Sequence, residues 1–108
     1  MLVNILGTDY KIIRSTKKED EYLLECDGYC DDSVKLIVVS CENKNAPGIK
    51  ANLPSVRCKQ LRHEIIHAFL FESGLAENSE WAQNEEIVDW IAMQGVKIYN
   101  AWKEAGAI

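Results

Sequence analysis

Both histidines of this chain fall in one five-residue run, His63-Glu64-Ile65-Ile66-His67. An α-helix advances about 100° and roughly 1.5 Å per residue, so on a helix the two imidazoles stack on one face, one turn apart, where both can reach the same ion. Glu64 then lies beside that point with a carboxylate free to take a proton. Two ligands leave a site incomplete, because catalytic zinc sites usually show three protein ligands plus a water. The spacing therefore constrains the fold: residues 63–67 must be helical, and a second element must return to bring another donor to the same point.

A length of 108 residues leaves room for one domain, 1–108, around a single core. Hydrophobic content of 47% and charged content of 27% are those of an ordinary globular chain, with neither repeats nor low-complexity stretches. The longest apolar runs, such as Leu36-Ile37-Val38-Val39, fall far short of the roughly 20 residues that cross a bilayer. The N-terminal Met1-Leu2-Val3-Asn4 lacks a basic segment with an apolar run behind it, so the expectation is a cytoplasmic protein without a membrane partner. A net charge of −5, with acidic residues dense from Glu19 to Asp32, argues against a phosphate-binding surface and hence against nucleic acid as a partner. The four cysteines (Cys26, Cys30, Cys41, Cys58) read as reduced thiols in such a compartment. A second metal site built on Cys26, Cys30 and Cys41 is the alternative, but no tightly spaced partner pair follows.

The hydrophobic pattern predicts an α+β domain: a small antiparallel or mixed sheet of about four strands packed on two helices that carry the site. Residues 2–6 and 10–15 flank Gly7-Thr8-Asp9 as a hairpin, 22–29 reads as a third strand, and 34–40 as a fourth. The β-branched Ile37-Val38-Val39 marks that last strand as central or buried on both faces. Residues 42–54 hold both prolines and are expected to form a loop. A helix is expected over 55–73, with Leu61, Ile65, Ala68 and Phe69 facing the sheet and Gly74 at its C-terminus. A second helix is expected from Ser79 to about Gln94, ended or kinked at Gly95, and a last one over 96–105 to cover the core. Trp81, Trp90 and Trp102 read as core residues of those helices rather than as a substrate pocket.

The run Asn84-Glu85-Glu86-Ile87-Val88-Asp89 is the evident source of the third ligand, since Glu85 follows His67 by 18 residues and Asp89 by 22, enough for a turn and a returning helix. His63-Glu64-Ile65-Ile66-His67 followed by Glu85 and Asp89 resembles the gluzincin pattern, two histidines and a downstream glutamate with an acid four residues later. Within that clan, the run from Glu85 to Ala92 is similar to the glutamate helix of ImmA/IrrE-type metallopeptidases, and the small size resembles short members carried by phages and prophages. The resemblance covers 63–92 at the level of motifs and is looser upstream. It implies a zincin-like fold, one Zn²⁺ per chain, ligands His63, His67 and Glu85, Glu64 as general base, and Asp89 as an acceptor that orients a histidine. Glu85 and Glu86 point about 100° apart on a helix, so one of them faces the ion, and the acid at Asp89 favours Glu85.

The resemblance further implies a zinc metallopeptidase acting on a peptide or protein substrate, in which Glu64 takes a proton from the attacking water and passes it to the leaving amine. An extended substrate would add to a sheet edge, along Lys35 to Val39 if that strand lies there. With no further histidine, a transition-state donor must come from a tyrosine, Tyr29 or Tyr99, or be missing. The competing reading is a phage-encoded zinc-containing regulatory or binding protein with little turnover; a protease of the SprT type, acting on DNA-bound proteins, is disfavoured by the negative charge. Cobalt, nickel or manganese suits the same ligands, although zinc suits them best. Cys58, five residues before His63, is turned about 140° away from it and is not expected to join.

Overall fold

Leu6 and Gly7, at φ of 51° and 92°, turn the chain back on itself and join β1 (Leu2–Ile5) to β2 (Thr8–Ser15). Positive φ at both turn residues gives the twist that a two-residue hairpin needs, and glycine adopts it without strain. The turn therefore lies one residue earlier than Gly7-Thr8-Asp9, and Thr8 and Asp9 already pair with Ile5 and Asn4. A computed structural model describes residues 1–41 and 53–108, so the expected loop lies outside the described residues over 42–52.

The strand expected over 22–29 splits in two. Asp20 accepts a hydrogen bond from the Tyr22 amide (3.1 Å) and starts a 3₁₀ turn at Glu21–Leu24, whose Leu23 is buried. This side chain offers the backbone an alternative to a strand ladder. β3 starts only at Gly28 and runs to Asp31; a turn then leads to β4 (Leu36–Ser40). The sheet is mixed, in the order β1-β2-β4-β3, with β4 parallel to β2 and antiparallel to β3. β4 is internal, as its β-branched run requires, and Ile37, Val38 and Val39 are essentially inaccessible. An extended peptide cannot add along Lys35 to Val39, because both sides of β4 are already paired; β3 is the edge strand on that side of the described sheet.

The helix expected over 55–73 is α1 (Leu53–Glu72), with Pro54 in its first turn, where a missing amide hydrogen is no loss. It stops at Gly74, whose amide reaches back to the Phe71 carbonyl at 3.0 Å and whose φ of 83° turns the following chain out of the helix. α1 has two apolar faces. Leu61, Ile65 and Ala68 pack on the sheet core of Ile5, Tyr10, Ile12, Ile37 and Val39. Ile66 and Leu70, turned roughly 140° away, meet a second cluster with Ala76, Ala82 and Val88. Phe69 falls between these faces and is exposed, contrary to its expected place on the sheet.

After the short helix α2 (Leu75–Asn78) and a 3₁₀ turn at Glu80–Gln83 comes α3 (Glu85–Glu104). Its cap is Asn84, which accepts from the Ile87 amide at 3.0 Å, rather than Ser79. The two helices expected on either side of Gly95 are one, since a glycine inside a helix costs only about 1 kcal/mol relative to alanine. Buried residues of α3 end at Ala92, so its second half does not cover the core. Trp81, Trp90 and Trp102 are 45%, 57% and 52% exposed, which overturns their reading as core residues; helical spacing shows that aromatics share a surface, not that anything packs on it.

Glu72, the last residue of α1, clamps the helix to the sheet. It accepts from Lys35 Nζ (2.7 Å), Tyr10 hydroxyl (2.8 Å) and Thr8 Oγ1 (3.1 Å). The Lys35 bond first, then those from Tyr10 and Thr8, hold its carboxyl below the usual glutamate range. Burial and the same carboxylate push the Tyr10 hydroxyl well above the ordinary tyrosine value.

Candidate metal centre

A third stripe of α1, between the two apolar faces, carries Gln60, His63, Glu64, His67 and Phe71, five residues that helical geometry places within about a 100° arc. These residues form one wall of an open cleft of about 520 Å³. The opposite walls are the Cys26–Cys30 segment, which includes most of edge strand β3, and Gln83 of the 3₁₀ turn with Glu85 and Asp89 at the start of α3.

Two contacts set α3 against α1: Arg62 Nε donates to the Ala92 carbonyl at 2.7 Å, and Lys59 Nζ pairs with Asp89 at 3.3 Å. This docking brings the first turn of α3 to the histidines. Glu85 Oε2 lies 2.8 Å from His63 Nε2, Glu85 Oε1 lies 3.0 Å from His67 Nε2, and the two Nε2 atoms are 3.2 Å apart. The histidine side chains are only 10% and 12% exposed, whereas that of Glu85 is 72% exposed. Glu86, its neighbour, is exposed and does not line the cleft.

The chemistry of these donors fits a cation. Asp89 Oδ1 stands 3.3 Å from His63 Nδ1 and, as a carboxylate, can only accept; with Nδ1–H as the donor to it, Nε2 is the nitrogen that offers a lone pair to a metal. Nε2 faces a Glu85 carboxylate oxygen at 2.8 Å. A cation suits that approach, whether a proton carried on Nε2 or a metal ion shared by the three side chains. Tetrahedral coordination with bonds of about 2.0–2.1 Å separates neighbouring donors by about 3.3 Å, close to the observed triangle of 2.8, 3.0 and 3.2 Å. His63, His67 and Glu85 could therefore hold a metal ion, and they are the group of this kind found among the described residues.

Burial dominates the acid–base chemistry. It lowers the His67 pKa, which keeps that ring neutral as a ligand must be. It raises Glu64 to about 7, against the opposing effects of His63 and of a hydrogen bond from Gln60. Glu64 is 3% exposed, and its carboxylate accepts from Gln60 Nε2 at 2.5 Å. Cys30 is likewise pushed to about 12, mainly by burial.

Of the two tyrosines considered as donors, Tyr29 lines the cleft, where burial and its bond to Asp20 Oδ2 (2.5 Å) push its hydroxyl to about 12; Tyr99 is exposed, beyond the buried part of α3. The cysteines are free thiols; Cys26 and Cys30 line the cleft, and Cys58 is exposed outside it. Gln60 and Phe71 were missed in the sequence, although their separation from Glu64 and His67, four residues in each case, was a readable signal. Gln83 and the Cys26–Cys30 wall had no such local signal. No helix among the described residues is long and apolar enough to cross a membrane. Compared with known proteins, the chain matches no family model, and neither a curated protein nor a solved structure gives a match.

Proposed function

We propose that this chain is a zinc-dependent peptidase. The observation that carries the reading is the convergence of His63 Nε2, His67 Nε2 and a Glu85 oxygen in an open cleft that also holds the buried Glu64 and borders a sheet edge. Zn²⁺ held by these residues would polarise a substrate carbonyl and acidify a water. Glu64 accepts the proton of the attacking water and delivers it to the leaving amine, and its burial suits it to hold a proton near neutral pH. Asp89 keeps the His63 ring in the tautomer that leaves Nε2 for the metal. The zincin-like description of the fold rests on the same pairing of α1 with the first turn of α3.

An extended substrate is received along β3 rather than β4. In the antiparallel ladder with β4, Asp27 and Ser40 form a hydrogen-bonded pair, so the alternation turns the amide and carbonyl of Gly28 and Cys30 outward at the cleft. Main-chain pairing there fixes a peptide's direction with little dependence on sequence.

One observation favours a second reading, a small zinc-stabilised regulatory or binding protein of the kind phages encode: the Tyr29 hydroxyl, the tyrosine hydroxyl of the cleft, is already donated to Asp20. A digest of a peptide library with zinc and with chelator separates the two, together with Glu64→Gln. Metal-dependent products, lost in Glu64→Gln while about one zinc per chain is retained, support the peptidase. Zinc binding with no product from any peptide supports the binding protein, and cleavage unchanged in Glu64→Gln excludes the proposed base.

A further inference from the structure

We propose that Gln60 is a positioning residue: its amide holds the Glu64 carboxylate in place, and the bare Cα of Gly28 on β3 provides the room it needs. The proposal rests on the peptidase reading for its consequence in turnover, but the contact it describes can be tested without any substrate.

Glu64 lies in a wall of the cleft with almost no exposure to solvent, so water cannot freely satisfy its oxygens. The hydrogen bond it receives from a described residue comes from Gln60 Nε2 to Oε2. Gln60 is one turn earlier on the same stripe of α1, and the bond engages Oε2 alone. A carboxylate held by one oxygen keeps its rotamer, and a base must stand within hydrogen-bond reach of the proton it removes.

Gly28 borders the glutamine. Its φ is not positive, so its backbone does not call for glycine. A Cβ at this position would lie 3.2 Å from Gln60 Cγ and 3.3 Å from Gln60 Nε2, and 2.9 Å from the Val38 carbonyl oxygen. The approach to the Val38 backbone carbonyl requires glycine, and the glutamine packs closely into the space that the missing Cβ leaves. Residue 28 is also one of the positions whose backbone faces an incoming strand, so the rim that receives the peptide and the side chain that sets the base are packed against each other.

The test uses Gln60→Met, which keeps the length and removes the donor, and Gly28→Ala, which crowds the glutamine from the other side. Zinc content and the absorption spectrum of the cobalt-loaded protein are expected to match the parent in Gln60→Met, because no ligand is touched. Its kcat on a peptide found by library digest is expected to fall roughly 10-fold with KM within about twofold, since positioning a base affects the chemical step. In the zinc-loaded parent, the Gln60 side-chain amide signals are expected away from their solvent positions and to move in both Glu64→Gln and Gly28→Ala. Should the parent cleave nothing, the peptidase reading fails, and the amide signals alone judge the contact: shifted and sensitive to Glu64→Gln, it stands. Signals at solvent positions that ignore Glu64→Gln overturn it, as does loss of zinc in Gln60→Met or a kcat equal to the parent's.

Discussion

Nδ1 of His63 stands 3.3 Å from Oδ1 of Asp89, a contact that leaves Nε2 to a metal when Nδ1 carries the donated proton. The carboxylate is shared, since Lys59 Nζ also reaches it at 3.3 Å. Asp89→Asn keeps the shape but lets the side-chain amide compete for the wrong tautomer. Zinc affinity is expected to fall about 10–100-fold, as when second-sphere partners of ligating histidines are altered, while far-ultraviolet circular dichroism is unchanged. Competition with a chromophoric chelator measures it.

Glu85 and Glu86 are both exposed sequence neighbours with different surroundings, one beside the histidine nitrogens in the cleft and one outside it. Glu85→Ala is expected to weaken zinc binding by more than about 100-fold, because two imidazoles alone leave the site short of a ligand. Glu86→Ala is expected to keep parental affinity. Equal losses in the two variants, read by the same chelator competition, would contradict this assignment.

Glu72 carries a stability that depends on pH. Its carboxyl is held below the ordinary range by Lys35 first and by Tyr10 and Thr8, so folding favours the ionised form. This contribution is complete above the unfolded-state value of about 4.3 and is lost as pH falls through the lower folded value. Glu72→Gln is expected to melt below the parent at pH 7, and the gap is expected to narrow as both are titrated towards pH 3. Thermal melts across that range report it; a gap that widens with acid contradicts the clamp.

Gly95 lies inside α3, and a Cβ there meets nothing within 4 Å. Gly95→Ala is expected to stabilise the fold by about 0.5–1 kcal/mol through reduced freedom of the unfolded chain and better helix propensity. For a domain of this size that raises the melting temperature by about 3–6 °C. Zinc affinity should not change.

The amino-acid order determined the features that depend on short-range geometry. A separation of four positions from His63 to His67 means one helical turn, an acid four residues after Glu85 means a shared helix face, and the β-branched Ile37-Val38-Val39 means a strand covered on both sides. These relations survive whatever the rest of the chain does, because helix rise and strand alternation are properties of the backbone. The tertiary structure alone decided how those surfaces meet. Placing β4 between β2 and β3 turned Gly28 and its neighbours, not Lys35 to Val39, into the wall beside Glu64. Apolar spacing could not tell that the tryptophans face outward, nor that α3 continues through Gly95, because periodicity marks a face without naming its partner. Docking of α3 on α1 through Arg62 and Lys59 brought Glu85 across to the histidines, a contact between residues 22 and 18 positions apart that no local rule encodes.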